Sequence, residues 1–226
     1  MVPLSTPIPW AQAGPVHTYV LRGPPHVVID TGYAFAWPEL SAQLSREEIA
    51  VEDVAVVLIT HGHPDHASGA EEIVTRSGAQ VLLHPQDHGK LDPDYLEVKA
   101  EQYLRLRPWF AREGVPPDEF DAFVERFRAP RHRFTRDMTP VPVTDGELLD
   151  LPTGPLRAIA TPGHTPGHLL YLDGERRLAF SGDHLLGDIS PNPLLDFDDE
   201  DRRYRSFPDY LDSLARIEDL DVDLWC

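Results

Sequence analysis

Hydrophobic and polar positions along this chain follow two rhythms that alternate, one of period two and one of helical spacing. His17-Thr18-Tyr19-Val20-Leu21-Arg22 and His26-Val27-Val28-Ile29-Asp30 flank Gly23-Pro24-Pro25, which predicts two strands joined as a hairpin. Pro38 to Arg46 has helical spacing with Pro near its first turn. Asp53 to Ile59 is nearly continuous in β-branched and aliphatic residues, the pattern of a strand buried on both faces. A helix start from Ala67 to Val74 and a short strand, Gln80 to Leu83, come next. Strands alternating with helices predict an α/β layer architecture.

From Pro85 to Asp137 the rhythm changes to a stretch rich in Arg, Glu and aromatic residues, read as a helical insertion. Tyr95 to Arg107 and Glu119 to Arg128 are amphipathic and are split by Gly114-Val115-Pro116-Pro117. Their aromatic residues, Tyr103, Trp109, Phe110, Phe120, Phe123 and Phe127, are expected to pack against the sheet, with a substrate lid as the alternative. Strand patterns return at Thr139 to Val143, Leu148 to Leu151, Leu156 to Ala160, His168 to Leu172 and Arg177 to Ser181, separated by turn residues. The acidic, Pro-containing stretch Asp188 to Asp201 predicts a loop, Phe207 to Leu220 a helix, and Val222 to Trp225 the start of another strand. One domain over residues 1–226, with the insertion at about 85–137, accommodates all of these elements.

Composition narrows the setting. A chain of 226 residues, 41 % apolar, can bury the core of one sizeable domain. Its one cysteine, Cys226, excludes an intrachain disulfide and a Cys-rich structural zinc module, so a reducing cytoplasm is expected. Met1 to Val16 holds no Lys or Arg and no signal-peptide core, and no segment is long and apolar enough to span a bilayer. A net charge of −18 argues against nucleic acid or an anionic membrane as the main partner. The cluster Arg126, Arg128, Arg131, Arg133 and Arg136 is read as a solvated helix face and loop. A small-molecule substrate is the expected partner, and a homodimer is left open.

Chemistry concentrates at Ile59-Thr60-His61-Gly62-His63-Pro64-Asp65-His66, which follows the most apolar strand and places three imidazoles and a carboxylate within six residues. These are the usual donors for zinc and related divalent ions. Two later stretches share this character: Thr161-Pro162-Gly163-His164-Thr165-Pro166-Gly167-His168 and Ser181-Gly182-Asp183-His184. Each follows an apolar strand segment, so His164 and Asp183 should emerge at strand ends, where ligands on a rigid scaffold meet.

Together with Asp30-Thr31-Gly32, the residues His61, His63, Asp65, His66, His164 and Asp183 resemble the signature of the metallo-β-lactamase superfamily. The resemblance runs from the first hairpin to the last strand, outside the insertion. It implies an αββα sandwich with the site at one edge of its two sheets. It also implies that His61, His63 and His164 hold one metal ion, that Asp65 and His66 hold a second, and that Asp183 bridges them. Two divalent ions follow, with zinc expected and iron or manganese as alternatives. A carboxylate bridge lowers the repulsion between the cations, and neutral imidazoles leave them acidic enough to generate hydroxide near neutral pH. Asp65 is then the catalytic residue, orienting that hydroxide and passing a proton to the leaving group.

One departure concerns the second ion. Two-metal members normally supply a last His, in a Gly-His-Gly context, shortly after the strand that Val222 to Trp225 begins, and this sequence stops at Cys226. The expectation is a C-terminally truncated chain whose second position is held weakly.

Other candidates are weaker. His17, His26, His88 and His132 are expected at the surface or in turns, His84 near the site, and His168 orienting the His164 loop. His184 is the candidate for a further contact with metal or substrate, and Tyr33 and Phe35, with Trp37 and the insertion aromatics, for an apolar substrate pocket. The charge disfavours a nuclease, the missing signal peptide a secreted β-lactamase, and the length a flavo-diiron protein. What remains is a hydrolase for a small carbonyl ester, thioester or lactone, resembling the glyoxalase-II-like branch. Alternatives are a mononuclear non-haem iron dioxygenase acting on a sulfur substrate and a non-catalytic metal-binding module.

Overall fold

The computed structural model describes residues 1–7, 14–128, 138–193 and 204–226. The predicted basic residues Arg131, Arg133 and Arg136, His132, and most of the predicted acidic loop lie outside them. The first half forms strands β1 (Val2–Thr6), β2 (Val16–Leu21), β3 (His26–Ile29), β4 (Val54–Leu58) and β5 (Gln80–Leu83). With β6 (Val141–Pro142) they make a six-stranded sheet in sequence order. The strands β1 to β3 pair antiparallel and β3 to β6 parallel. Strands β7 (Leu148–Leu149), β8 (Leu156–Ala160), β9 (Leu169–Asp173), β10 (Leu178–Phe180) and β11 (Leu224–Trp225) make the second sheet. There β7 to β10 pair antiparallel and β11 runs parallel to β10.

The period-two rhythm explains how the layers assemble, because successive side chains leave a strand on opposite faces. Val27 and Ile29 of β3, Leu58 of β4 and Leu82 of β5 face the second sheet, where they meet Leu156, Ala158, Leu169, Tyr171 and Phe180. Their neighbours Val28, Val57, Val81 and Leu83 turn the other way, onto Leu40 and Leu44 of α1 (Trp37–Arg46) and Ile73 of α3 (Ala70–Ser77). On the far side Ile159, Leu170 and Ala179 are covered by Ile217 of α7 (Ser206–Ile217). Strands that bury both faces need continuous apolar runs, and the result is the expected αββα sandwich.

Helices stop where their sequence says they should. In α1, Pro38 sits in the first turn, where no intrahelical N–H is required. At the end of α3, Gly78 takes the left-handed conformation at φ 72° and donates to the Val74 carbonyl. The short α2 (Pro64–Ala67) carries two of the predicted site residues, Asp65 and His66.

Residues Pro85–Leu91 form 3₁₀ turns, followed by α4 (Tyr95–Arg105), α5 (Arg107–Arg112) and α6 (Pro117–Phe127). Among the described side chains, which do not include that of Phe127, the insertion aromatics do not join the sheet cores as expected. Tyr103, Phe120 and Val124 form a core of their own with Ala100, flanked by Phe110 and Phe123. Two facing amphipathic helices satisfy each other's apolar stripes, so this module needs no sheet beneath it. Strand β1 was not anticipated from the sequence; it pairs with β2 from Val2 opposite Val20 to Thr6 opposite Val16.

Candidate metal centre

The site lies where the C-terminal ends of β3, β4, β8 and β10 come together. Two cross-sheet bonds hold this edge: Leu169 N–H donates to the Thr60 carbonyl at 2.7 Å, and the Tyr171 hydroxyl donates to the Ile59 carbonyl at 2.9 Å. The loop after β4 and the loop after β8 are thereby placed face to face.

Nδ1 of His63 lies 3.0 Å from Nε2 of His61 and 2.9 Å from Nε2 of His164. Three ring nitrogens thus converge on one point at about the edge length, roughly 3.3 Å, of a tetrahedron whose ligands sit 2.0–2.1 Å from its centre. His61, His66 and Asp183 form a second group whose donor atoms lie within 4.8 Å of one another. The Asp183 carboxylate spans both groups, with Oδ1 at 3.2 Å from His66 Nε2 and Oδ2 at 3.4 Å from His164 Nε2. His66 Nε2 is buried and makes no hydrogen bond among the described residues. Such a nitrogen, aimed at a carboxylate beside three convergent imidazoles, fits a site built for divalent cations.

Three of the imidazoles are oriented by their other nitrogen. His61 Nδ1 meets Thr60 Oγ1 at 3.1 Å, His164 Nδ1 meets the Asn192 carbonyl at 2.9 Å, and His66 Nδ1 meets Asp30 Oδ2 at 2.8 Å. Asp30 also accepts from the Thr60 N–H and hydroxyl, both at 2.8 Å, from a backbone held at φ 53°. These outer contacts fix ring orientation and tautomer, as ligand imidazoles require. Close approach is enforced at Gly182, where a Cβ would sit 2.6 Å from Thr60 Oγ1.

Without an ion, electrostatics favour the metal-ready forms of His61 and Asp183, while His66 favours its protonated form, so binding there displaces a proton. Burial and the neighbouring imidazoles of His66, His63 and His164 hold His61 well below the usual imidazole range, so it is neutral at pH 7. Burial works against charging His66, yet Asp183 and Asp30 on its two nitrogens raise it well above that range. Burial also opposes ionisation of Asp183, but His66, His164 and His63 outweigh it and keep the carboxylate ionised far into acid. Asp65 is pushed up, by burial first and then by Asp183, with His66 pulling the other way.

The centre opens on a cleft of about 880 Å³. Its polar floor includes Asp65, His66, His164 and Asp183, and its walls include Tyr19, Phe180, Leu185, Leu186, Ile189 and Trp225. The residues expected to form the substrate pocket are placed elsewhere. Tyr33 is 4 % exposed and stacks on Phe35 at 4.9 Å, and neither is among the cleft-lining residues. His184 is fully buried behind Asp183, its ring 5.0 Å from Tyr210 and 5.9 Å from His168, also away from the cleft lining. His168 does lie behind the ligands, its ring 5.1 Å from His61 and its Nδ1 2.8 Å from Thr161 Oγ1. His84 accepts from the Gln86 N–H at 3.3 Å and does not line the cleft; His17 is at the surface as expected, and also lines the cleft.

Sequence reasoning passed over Thr60, Asn192 and Asp87. Asp87 is fully buried and accepts from the Gly62 N–H, the Thr165 hydroxyl and the Gly167 N–H at 2.9, 2.6 and 3.1 Å. Nothing about a lone Asp in the turn His84-Pro85-Gln86-Asp87 signals a distant partner.

Comparison with known proteins gives a consistent result. Residues 11–226 match the family model described as the metallo-beta-lactamase superfamily. The probable metallo-hydrolase YqjP of Bacillus subtilis is 27 % identical over 98 % of this chain and 68 % of its own length. Hydroxyacylglutathione hydrolase GloC of Haemophilus influenzae is 29 % identical over 65 % of this chain, which spans 57 % of that protein. A crystal structure of a metallo-beta-lactamase family protein from Thermus thermophilus superposes with a TM-score of 0.79 at 30 % identity, covering all of this chain and 71 % of that one.

Proposed function

This chain belongs to the metallo-beta-lactamase superfamily, and from that premise we propose that it is a metal-dependent hydrolase of a small ester, thioester or lactone with an apolar acyl portion. The observation that carries the reading is the Asp183 carboxylate set between two donor groups, with Asp65 and His66 beside the cleft. The three convergent imidazoles alone would serve a one-ion centre. Asp65 and His66 extend them toward a second ion and a proton acceptor, which hydrolysis uses and a mononuclear oxygenase does not require.

His61, His63 and His164 would hold one ion, and His66 and Asp65 a second, with Asp183 shared. Bound there, divalent ions supply Lewis acidity and an activated water. Asp65, on the floor of the cleft, takes a proton from the attacking water at its carboxylate oxygen and returns it to the departing oxygen or sulfur. The apolar wall from Tyr19 to Trp225 holds the acyl chain and keeps bulk water off the reacting carbonyl. A glutathione conjugate, the substrate type in the name of the Haemophilus relative, is one thioester to test. Zinc is the proposed ion and the cytoplasm the proposed compartment.

The test is metal analysis together with turnover of a panel of thioesters, lactones, alkyl esters, phosphodiesters and β-lactams. Hydrolysis of carbonyl substrates by zinc-loaded protein is expected. Oxygen consumption by iron-loaded protein with a thiol or persulfide, and no hydrolysis of any panel member, would replace this reading with the oxygenase.

A further inference from the structure

We propose that Asp87 is a positioning residue that sets the His61, His63 and His164 triad by stapling the two ligand loops together. The proposal rests on the reading of that triad as a metal centre. One Asp87 oxygen, Oδ2, accepts from the Gly62 N–H, between the first two ligands, and from the Thr165 hydroxyl, next to the third. The other oxygen accepts from the Gly167 N–H. A single buried carboxylate therefore fixes the loop after β4 against the loop after β8, within one or two residues of all three ligands. The 3₁₀ segment Pro85–Leu91, at the head of the insertion, delivers it.

The surroundings are shaped for this contact. A Cβ on Gly167 would lie 2.8 Å from the Asp87 carboxyl carbon, and a Cβ on Gly62 would lie 2.7 Å from Lys90 Cβ and 3.0 Å from the Asp87 carbonyl oxygen. Both loops come within reach of the carboxylate because those positions lack side chains. The Lys90 ammonium stands 3.9 Å from Asp87 Oδ1, itself buried, and donates to the Tyr95 hydroxyl at 3.2 Å. Three donors and a nearby cation compensate the buried negative charge. The insertion is thus tied mechanically to the metal centre.

Two variants separate positioning from simple support. Asp87→Asn keeps the size but offers an amide N–H₂ where a donor already points, so at least one staple bond is lost. Thr165→Val removes one donor and leaves the Gly62 and Gly167 contacts in place. Zinc affinity by chelator competition is expected to fall about 10–100-fold in Asp87→Asn and less in Thr165→Val. Cobalt-substituted protein should show altered ligand-field bands in Asp87→Asn. Lower melting temperatures with parental zinc affinity and parental cobalt spectra would overturn the proposal. Should Asp87→Asn not fold, Thr165→Val decides by the same readouts. Hydrogen exchange of the metal-free proteins is a second, independent readout: segments 61–66 and 164–168 should exchange faster in the variants than in the parent, and unchanged exchange also overturns the proposal. If the parent binds neither zinc nor cobalt, the metal-centre reading falls, and the exchange comparison alone decides the role of Asp87.

Discussion

At the scale of single residues, the centre divides into groups that would touch an ion or substrate and groups that aim them. Asp65 lines the cleft and is not part of the apolar core, so Asp65→Asn should abolish hydrolysis while moving the melting temperature little. Steady-state kinetics and thermal unfolding on the same sample check this; residual turnover above a few per cent would remove Asp65 from the proton path. Asp30 is the opposite kind of residue. Its buried carboxylate accepts from Thr60 twice and from His66. Asp30→Asn should therefore cost about 1–3 kcal/mol of stability and loosen the ion that His66 holds, read by denaturant unfolding and by metal titration. The candidate ligand residues stood out in the sequence because imidazoles and carboxylates are rare in such density. Asp87, Thr60 and Asn192 did not: Asp87 meets loops far along the chain, Thr60 meets Asp30 as well as its neighbour His61, and the Asn192 contact uses a backbone carbonyl that carries no residue signature.

At the scale of elements, apolar rhythm marked the buried strands closely: the predicted strands at Gln80 to Leu83 and Leu156 to Ala160 coincide with β5 and β8. It failed at β1, whose residues Val2-Pro3-Leu4-Ser5-Thr6 alternate weakly and sit at the sheet edge. It also missed α5, six residues long, too short to show a helical period. The seating of α7 gives a pH prediction. Arg216 of α7 pairs with both Asp145 oxygens at 2.7 Å and with the Ala160 carbonyl at 3.0 Å. Burial tends to raise the Asp145 carboxyl, but Arg216 and the Ala160 N–H hold it below the usual range. A carboxylate depressed on folding contributes stability that is present above its unfolded pKa, about 3.9, and lost as pH falls through the folded value. Because the pair is half exposed, Asp145→Asn should cost no more than about 1 kcal/mol at pH 7. The difference from wild type should begin to shrink as pH drops below about 4 and vanish only below the depressed folded value, and urea unfolding at pH 7, 5, 3.5 and 2.5 measures it. A gap that stays constant across these pH values would mean the ion pair does not seat the helix.

At the scale of the whole molecule, the two sheets share one apolar interior and meet at one polar edge. Ion binding to that edge should stabilise the entire chain, by about 4 kcal/mol when free metal exceeds its dissociation constant a thousandfold. Differential scanning calorimetry before and after chelation tests this. Titration of this chain should show one tight ion, on His61, His63 and His164, and one weak ion on Asp65, His66 and Asp183. Two equally tight ions that survive dialysis against a weak chelator would contradict that assignment. The α/β layering was legible because strands and helices alternate along the chain, whereas the αββα sandwich followed only from the resemblance of the His and Asp motifs to the superfamily signature. The independent core of the insertion was not legible, since amphipathic helices announce an apolar face without saying which surface it meets.

His61 and His63 follow a strand of one sheet while His164 follows a strand of the other, so an ion on these three ligands is a clasp across the seam between them. Molecules emptied of metal would breathe first along that seam and would be the first that a protease could cut.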